Sequence, residues 1–67
     1  MTIQESEEKY GSVQGYINNL KELYTLNDLR SEDITDTLID INFIRVQGEL
    51  KEIDEIELID LVQGVTF

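Results

Sequence analysis

The side chains of this chain that could do chemistry are almost all carboxylates. Glu32, Asp36 and Asp40 recur every four residues, with Asp33 beside the first, and Glu49, Glu52, Asp54, Glu55, Glu57 and Asp60 form a second run interrupted only by Lys51 among the bases. There is no His and no Cys. The usual acid–base and nucleophilic partners are therefore missing, as are thiolate and imidazole metal ligands. Carboxylate pairs do serve glycoside hydrolysis, but that reaction needs a deep cleft, which a chain this short does not readily build. The acidic stretch Asp54–Asp60 lacks the Asp-x-Asp-x-Asp-Gly order and terminal Glu of a calcium loop. No Gly-Lys-Ser/Thr ending follows Gly11 or Gly15, so no phosphate-binding loop is expected. The residues thus predict no enzyme, no metal and no cofactor.

What remains is the array itself. Carboxylates four apart on a helix stand ~5–6 Å from one another, and carboxylates two apart on a strand ~6.6 Å. DNA presents one phosphate per ~3.4 Å of axis on each strand. Rows of this kind approximate a phosphate track, and the ten acids named above are the candidate partner-binding residues. The competing reading is an ordinary solvated face, which is what charge runs usually are.

Composition bounds the partner. The chain has 67 residues, 15 acidic and 5 basic side chains and a net charge of −10. That exceeds the ~2–8 that suffices for solubility. The charge is uneven: residues 1–27 hold four acids and two bases, whereas residues 28–67 hold eleven acids and three bases. Such a surface repels nucleic acid and anionic membranes and attracts basic proteins. Yet 40% of the residues are hydrophobic, too many for a disordered acidic tail. One small domain is expected, burying only about 60% of its unfolded surface. With no disulfide or metal to help, a homodimer is expected on stability grounds. No apolar run of ~18 residues exists to span a membrane, and the acidic start Met1-Thr2-Ile3-Gln4-Glu5 is unlike a secretion signal. A cytoplasmic location is the default expectation.

The elements that must position the acids are expected to be α+β. Residues 1–9 are polar and expected to fray. Ser12 is a candidate N-cap for an amphipathic helix over 12–25, with Val13, Ile17, Leu20 and Tyr24 at helical spacing and Tyr16 and Leu23 beside them. Asn27, tolerant of the left-handed conformation, suits its end. Ser31 with Glu32 and Asp33 reads as the start of a short second helix over roughly 32–37. Beyond it, Leu38-Ile39-Asp40-Ile41-Asn42-Phe43 alternates apolar and polar, so 38–47 is expected as a strand and 55–63 as a second, antiparallel one. Arg45 would pair with an acid across them. The alternative is all-α, because Ile39, Phe43, Val46, Leu50 and Ile53 also follow a 4-3-4-3 spacing. That reading must place many β-branched residues and Gly48 inside a helix. Val46-Gln47-Gly48 recurs as Val62-Gln63-Gly64, too little for a repeat architecture.

The short chain, the acid rows Glu32–Asp40 and Glu49–Asp60 and the lack of catalytic residue types resemble the small acidic bacteriophage proteins that disable host factors by mimicking DNA, one kind of which blocks the nucleoid protein HU. The resemblance implies an inhibitor that occupies the DNA-binding surface of a basic host protein in the bacterial cytoplasm. Independently of it, the face of Tyr16, Leu20 and Tyr24 could instead seat a partner helix, with the acids acting only as solubilisers.

Overall fold

The computed structural model describes residues 1–64, which form four helices: α1 (Ile3–Tyr10), α2 (Val13–Thr25), α3 (Ser31–Gln47) and α4 (Glu55–Gln63). Residues 65–67, with the apolar Val65 and Phe67, lie outside the described residues. Among the described residues there is no strand, so the α+β expectation is overturned in favour of an all-helical fold.

The first residues, expected to fray, instead make α1 through a capping box. The Thr2 hydroxyl accepts from the Glu5 N–H at 3.2 Å, and the Glu5 carboxylate accepts from the Thr2 N–H at 3.0 Å. The hydrogen bond from the Thr2 N–H, with the Thr2 side chain beside it, holds the Glu5 carboxyl below the usual carboxylate range. Gly11, at φ 127°, ends α1 in a conformation that only glycine adopts readily. Ser12 then caps α2 as expected, accepting from Gly15 N–H at 3.1 Å, and the Glu7 carboxylate accepts from Val13 N–H at 2.8 Å across the joint. Asn27 closes α2 at φ 57°. The Asp28 N–H reaches the Leu23 carbonyl at 2.9 Å and the Asn27 N–H reaches Tyr24 at 3.1 Å, a Schellman ending.

The correction falls on 31–47. The expected short helix and the strand expected over 38–47 are one 17-residue helix, in which Ile34, Ile41 and Ile44 are buried. Their separations of seven and three put them on one face, and burial outweighs the weak preference of β-branched residues for strands. Asn42, a poor helix former, is explained by a tertiary role. Its side-chain amide donates to the Ile53 carbonyl at 3.0 Å and accepts from the Ile53 N–H at 2.8 Å, holding the 50–54 segment against α3. Among the described residues Arg45 pairs with no acid; its Nε donates to the Lys51 carbonyl at 2.8 Å.

The strand expected over 55–63 is α4. Asp54 caps it, accepting from Glu57 N–H at 2.8 Å, and Leu58 and Val62, four apart, are buried. The two Val-Gln-Gly tripeptides are helix endings rather than repeats, reached by different means. Gly64 is left-handed at φ 67°, whereas Gly48 is not. In α3 the left-handed position is Glu49, at φ 64°, within another Schellman ending: Leu50 N–H to Arg45 carbonyl at 2.8 Å and Glu49 N–H to Val46 carbonyl at 3.0 Å. An L-residue there costs ~1–2 kcal/mol, offset in part by the unfolded-state entropy of glycine. Glu49→Gly is therefore expected to stabilise the chain by about 0.5–1 kcal/mol, seen as a rise of several degrees in thermal midpoint. An unchanged or lowered midpoint would contradict this.

Gly48 serves proximity. A Cβ built on it would lie 2.7 Å from the Ile3 Cα. Beside it, the fully buried Ser6 hydroxyl donates to the Ile44 carbonyl at 2.7 Å, and Tyr10 meets Phe43 edge-on with ring centroids 4.8 Å apart. Ile3 at Gly48 and Tyr10 at Phe43 make α1 antiparallel to α3. On the other flank Ile53 meets Asn42, and Ile59 and Val62 share an apolar cleft with Ile34, so α4 is antiparallel to α3 as well. The main core, Ile17, Leu20, Ile34, Ile41, Leu58 and Val62, lies where α2, α3 and α4 meet.

Candidate binding surface

The ten acids predicted to bind a partner divide into three kinds. Asp33 and Asp54 act within the fold: the Asp33 carboxylate accepts from the Arg30 N–H at 3.0 Å, and Asp54 caps α4. Glu32 stands 3.9 Å from Arg30, with both side chains 72% exposed, a contact worth ~0–1 kcal/mol. Asp36, Asp40, Glu49, Glu52, Glu55, Glu57 and Asp60 are exposed and have no side-chain hydrogen bond or ion pair among the described residues. Arg30–Glu32 is the one ion pair found among those residues.

The helices bring some of these together. Glu32, Asp36 and Asp40 lie along the solvent side of α3, at the ~5–6 Å spacing of i, i+4 neighbours. Glu57 and Asp60, three apart, stand on α4 away from Leu58 and Val62. Glu49 and Glu52 belong to the α3–α4 connection, and Glu55 begins α4. The second acidic run is thus two groups, a connection pair and a helix face, and not the strand row at ~6.6 Å that an extended segment would have produced.

The other candidate face is not available as expected. Leu20 is 2% exposed and belongs to the core, and the Tyr16 ring packs near Gly11. Only Tyr24 of that trio is exposed.

An apolar surface does exist, on α3. Ile39 (64% exposed), Phe43 and Val46 (49% each) point outward, and Leu50 is exposed just beyond the helix. Ile39, Phe43 and Val46, with Leu38, Asn42, Gln47 and Glu52, line an open groove of about 480 Å³. The 4-3-4-3 spacing of the helical alternative contains Ile39, Phe43, Val46 and Leu50, whereas the strand reading put Val46 on the opposite face from Ile39 and Phe43.

Among the described residues no three acidic side chains are placed to hold a metal ion. No helix among them is long and apolar enough to cross a membrane. No family model matches the chain, and neither a curated protein nor a solved structure is significantly similar to it.

Proposed function

We propose that this protein binds the DNA-binding surface of a basic protein, such as a nucleoid protein of the HU type, and competes there with DNA. The observation that carries the reading is the unspent charge. Seven of the ten candidate carboxylates project into solvent with no intramolecular partner among the described residues, in a chain of net charge −10. Bringing so many like charges together opposes folding, and the net charge lies above the ~2–8 that suffices for solubility. The row Glu32, Asp36 and Asp40 is held by a rigid helix, so its carboxylates can pair with Lys and Arg at little ordering cost.

The mechanism is competition by counterion exchange. Each carboxylate takes a cation that would otherwise hold a phosphate, and binding weakens as salt rises. The test is displacement of a fluorescent duplex from purified HU, followed by anisotropy at rising salt. Displacement at low salt that fades as salt increases is expected, with at least a tenfold loss for the triple variant Glu32→Gln, Asp36→Asn, Asp40→Asn. Failure to displace the duplex, or displacement by the triple variant equal to that of the parent, would overturn the proposal.

A further inference from the structure

The apolar groove on α3 calls for its own account. α3 is apolar on two sides. Ile34, Ile41 and Ile44 are buried, while Ile39, Phe43 and Val46 face water. The outward three are separated by four and three residues, the spacing of a helix–helix seam. α1 runs along one side of this stripe, through Tyr10 at Phe43, and the segment ending at Ile53 closes the other, through Asn42. The groove is open to solvent and is lined by residues of α3 together with Glu52 of the connection. Exposed contiguous apolar surface on a small protein marks an interaction site.

We infer that this groove seats an amphipathic helix of a basic partner, its apolar stripe on Ile39, Phe43 and Val46 and its flanking Lys and Arg side chains on the acids around the groove. The inference rests on the proposal that the partner is basic. Charge decides the occupant. Glu52 lines the groove, and Asp36 and Asp40 lie on α3 within one turn of Ile39 and Phe43. Residues 31–60 carry ten acids against two bases. Of those bases, Arg45 is drawn to the Lys51 carbonyl. On the α1 side Lys9 stands over the Tyr10 ring, 5.3 Å from its centroid, leaving the surroundings still acidic in excess. A second copy of this chain would bring the same acids to the same place, and like charges across an interface oppose association. A helix with basic flanks meets opposite charge there and covers the stripe in one step.

The probe is a synthetic helix with Leu at seam positions and Lys on its flanks, titrated into the intact protein by calorimetry. Two controls are a scrambled peptide of the same composition and a Glu-flanked peptide with the same Leu seam. Binding of the Lys-flanked helix alone is expected, weakened at least tenfold by Ile39→Ser with Val46→Ser. Both positions are exposed, and an unchanged thermal melt of the double variant confirms that it folds. Phe43 stays in place because Tyr10 packs on it. Equal binding of the scrambled peptide, or an undiminished double variant, would refute the groove. So would sedimentation as a dimer that the double variant dissolves, which would make the occupant a second copy. The two proposals fail separately: a double variant that still displaces DNA from HU leaves the carboxylate reading standing. A seated peptide without displacement of DNA refutes the competition and leaves the groove.

Discussion

Replacing Ile41 with Ala is expected to remove about 2–5 kcal/mol of stability, enough to leave much of the chain unfolded in mild urea. Ile41 is 0% exposed and sits in the core shared by α2, α3 and α4. The truncation loses the transfer energy of the missing atoms and leaves a cavity whose lining cannot fully collapse. A single domain of this length has a total stability of roughly 3–10 kcal/mol, so one such cavity consumes a large part of it. Urea denaturation followed by far-ultraviolet circular dichroism measures the loss. Ile41→Val, which removes one methylene, should cost about 1 kcal/mol. A similar loss for both substitutions, or a midpoint unchanged by Ala, would mean that Ile41 is not the packing centre.

Gly48→Val should act differently, by releasing one element rather than weakening the whole. The added Cβ would lie 2.7 Å from the Ile3 Cα and 2.9 Å from the Ile3 Cδ1. A side-chain tip can swing away; a backbone atom cannot, so α1 must move. Overpacking of this kind costs ~1–3 kcal/mol, and displacement of α1 would break the Ser6–Ile44 hydrogen bond at about 1 kcal/mol more. α1 has only 8 residues, too few to stay helical in water without its packing. The expected result is loss of amide-exchange protection throughout α1 with retention in α2, α3 and α4. Unaltered protection in α1 would show that the close approach at Gly48 is not obligatory. α1 also flanks the apolar groove, so the variant should weaken seating of a basic helix there.

How much of this was legible in the chain depends on the residue. Asn27 and Ser12 were readable because caps act through their own backbone neighbours. The Thr2–Glu5 capping box was equally local and was the signal for α1, obscured by the polar texture around it. Residues 38–47 misled for a physical reason. Asp40 and Asn42 alternate with isoleucines, a pattern that fits a strand, and nothing adjacent reveals that Asn42 is engaged with the backbone of Ile53. Apolar residues on both sides of α3 blur the amphipathic period as well, since Ile34, Ile41 and Ile44 are buried while Ile39, Phe43 and Val46 face the open groove. The acids were legible as types, but their division into caps, a helix row and a connection pair was not.

By itself the sequence determined the charge excess, the absence of His and Cys chemistry and the local helix signals, because these depend on residue identity or on neighbours a few positions away. The tertiary structure alone decided that 31–47 is one helix, that Leu20 is core while Ile39 and Phe43 face water, and that Gly48 exists for Ile3. Each of those outcomes depends on which surface meets which, a matter of contacts between residues many positions apart. Local propensity, worth a fraction of a kcal/mol per residue, gives way to burial worth several times as much.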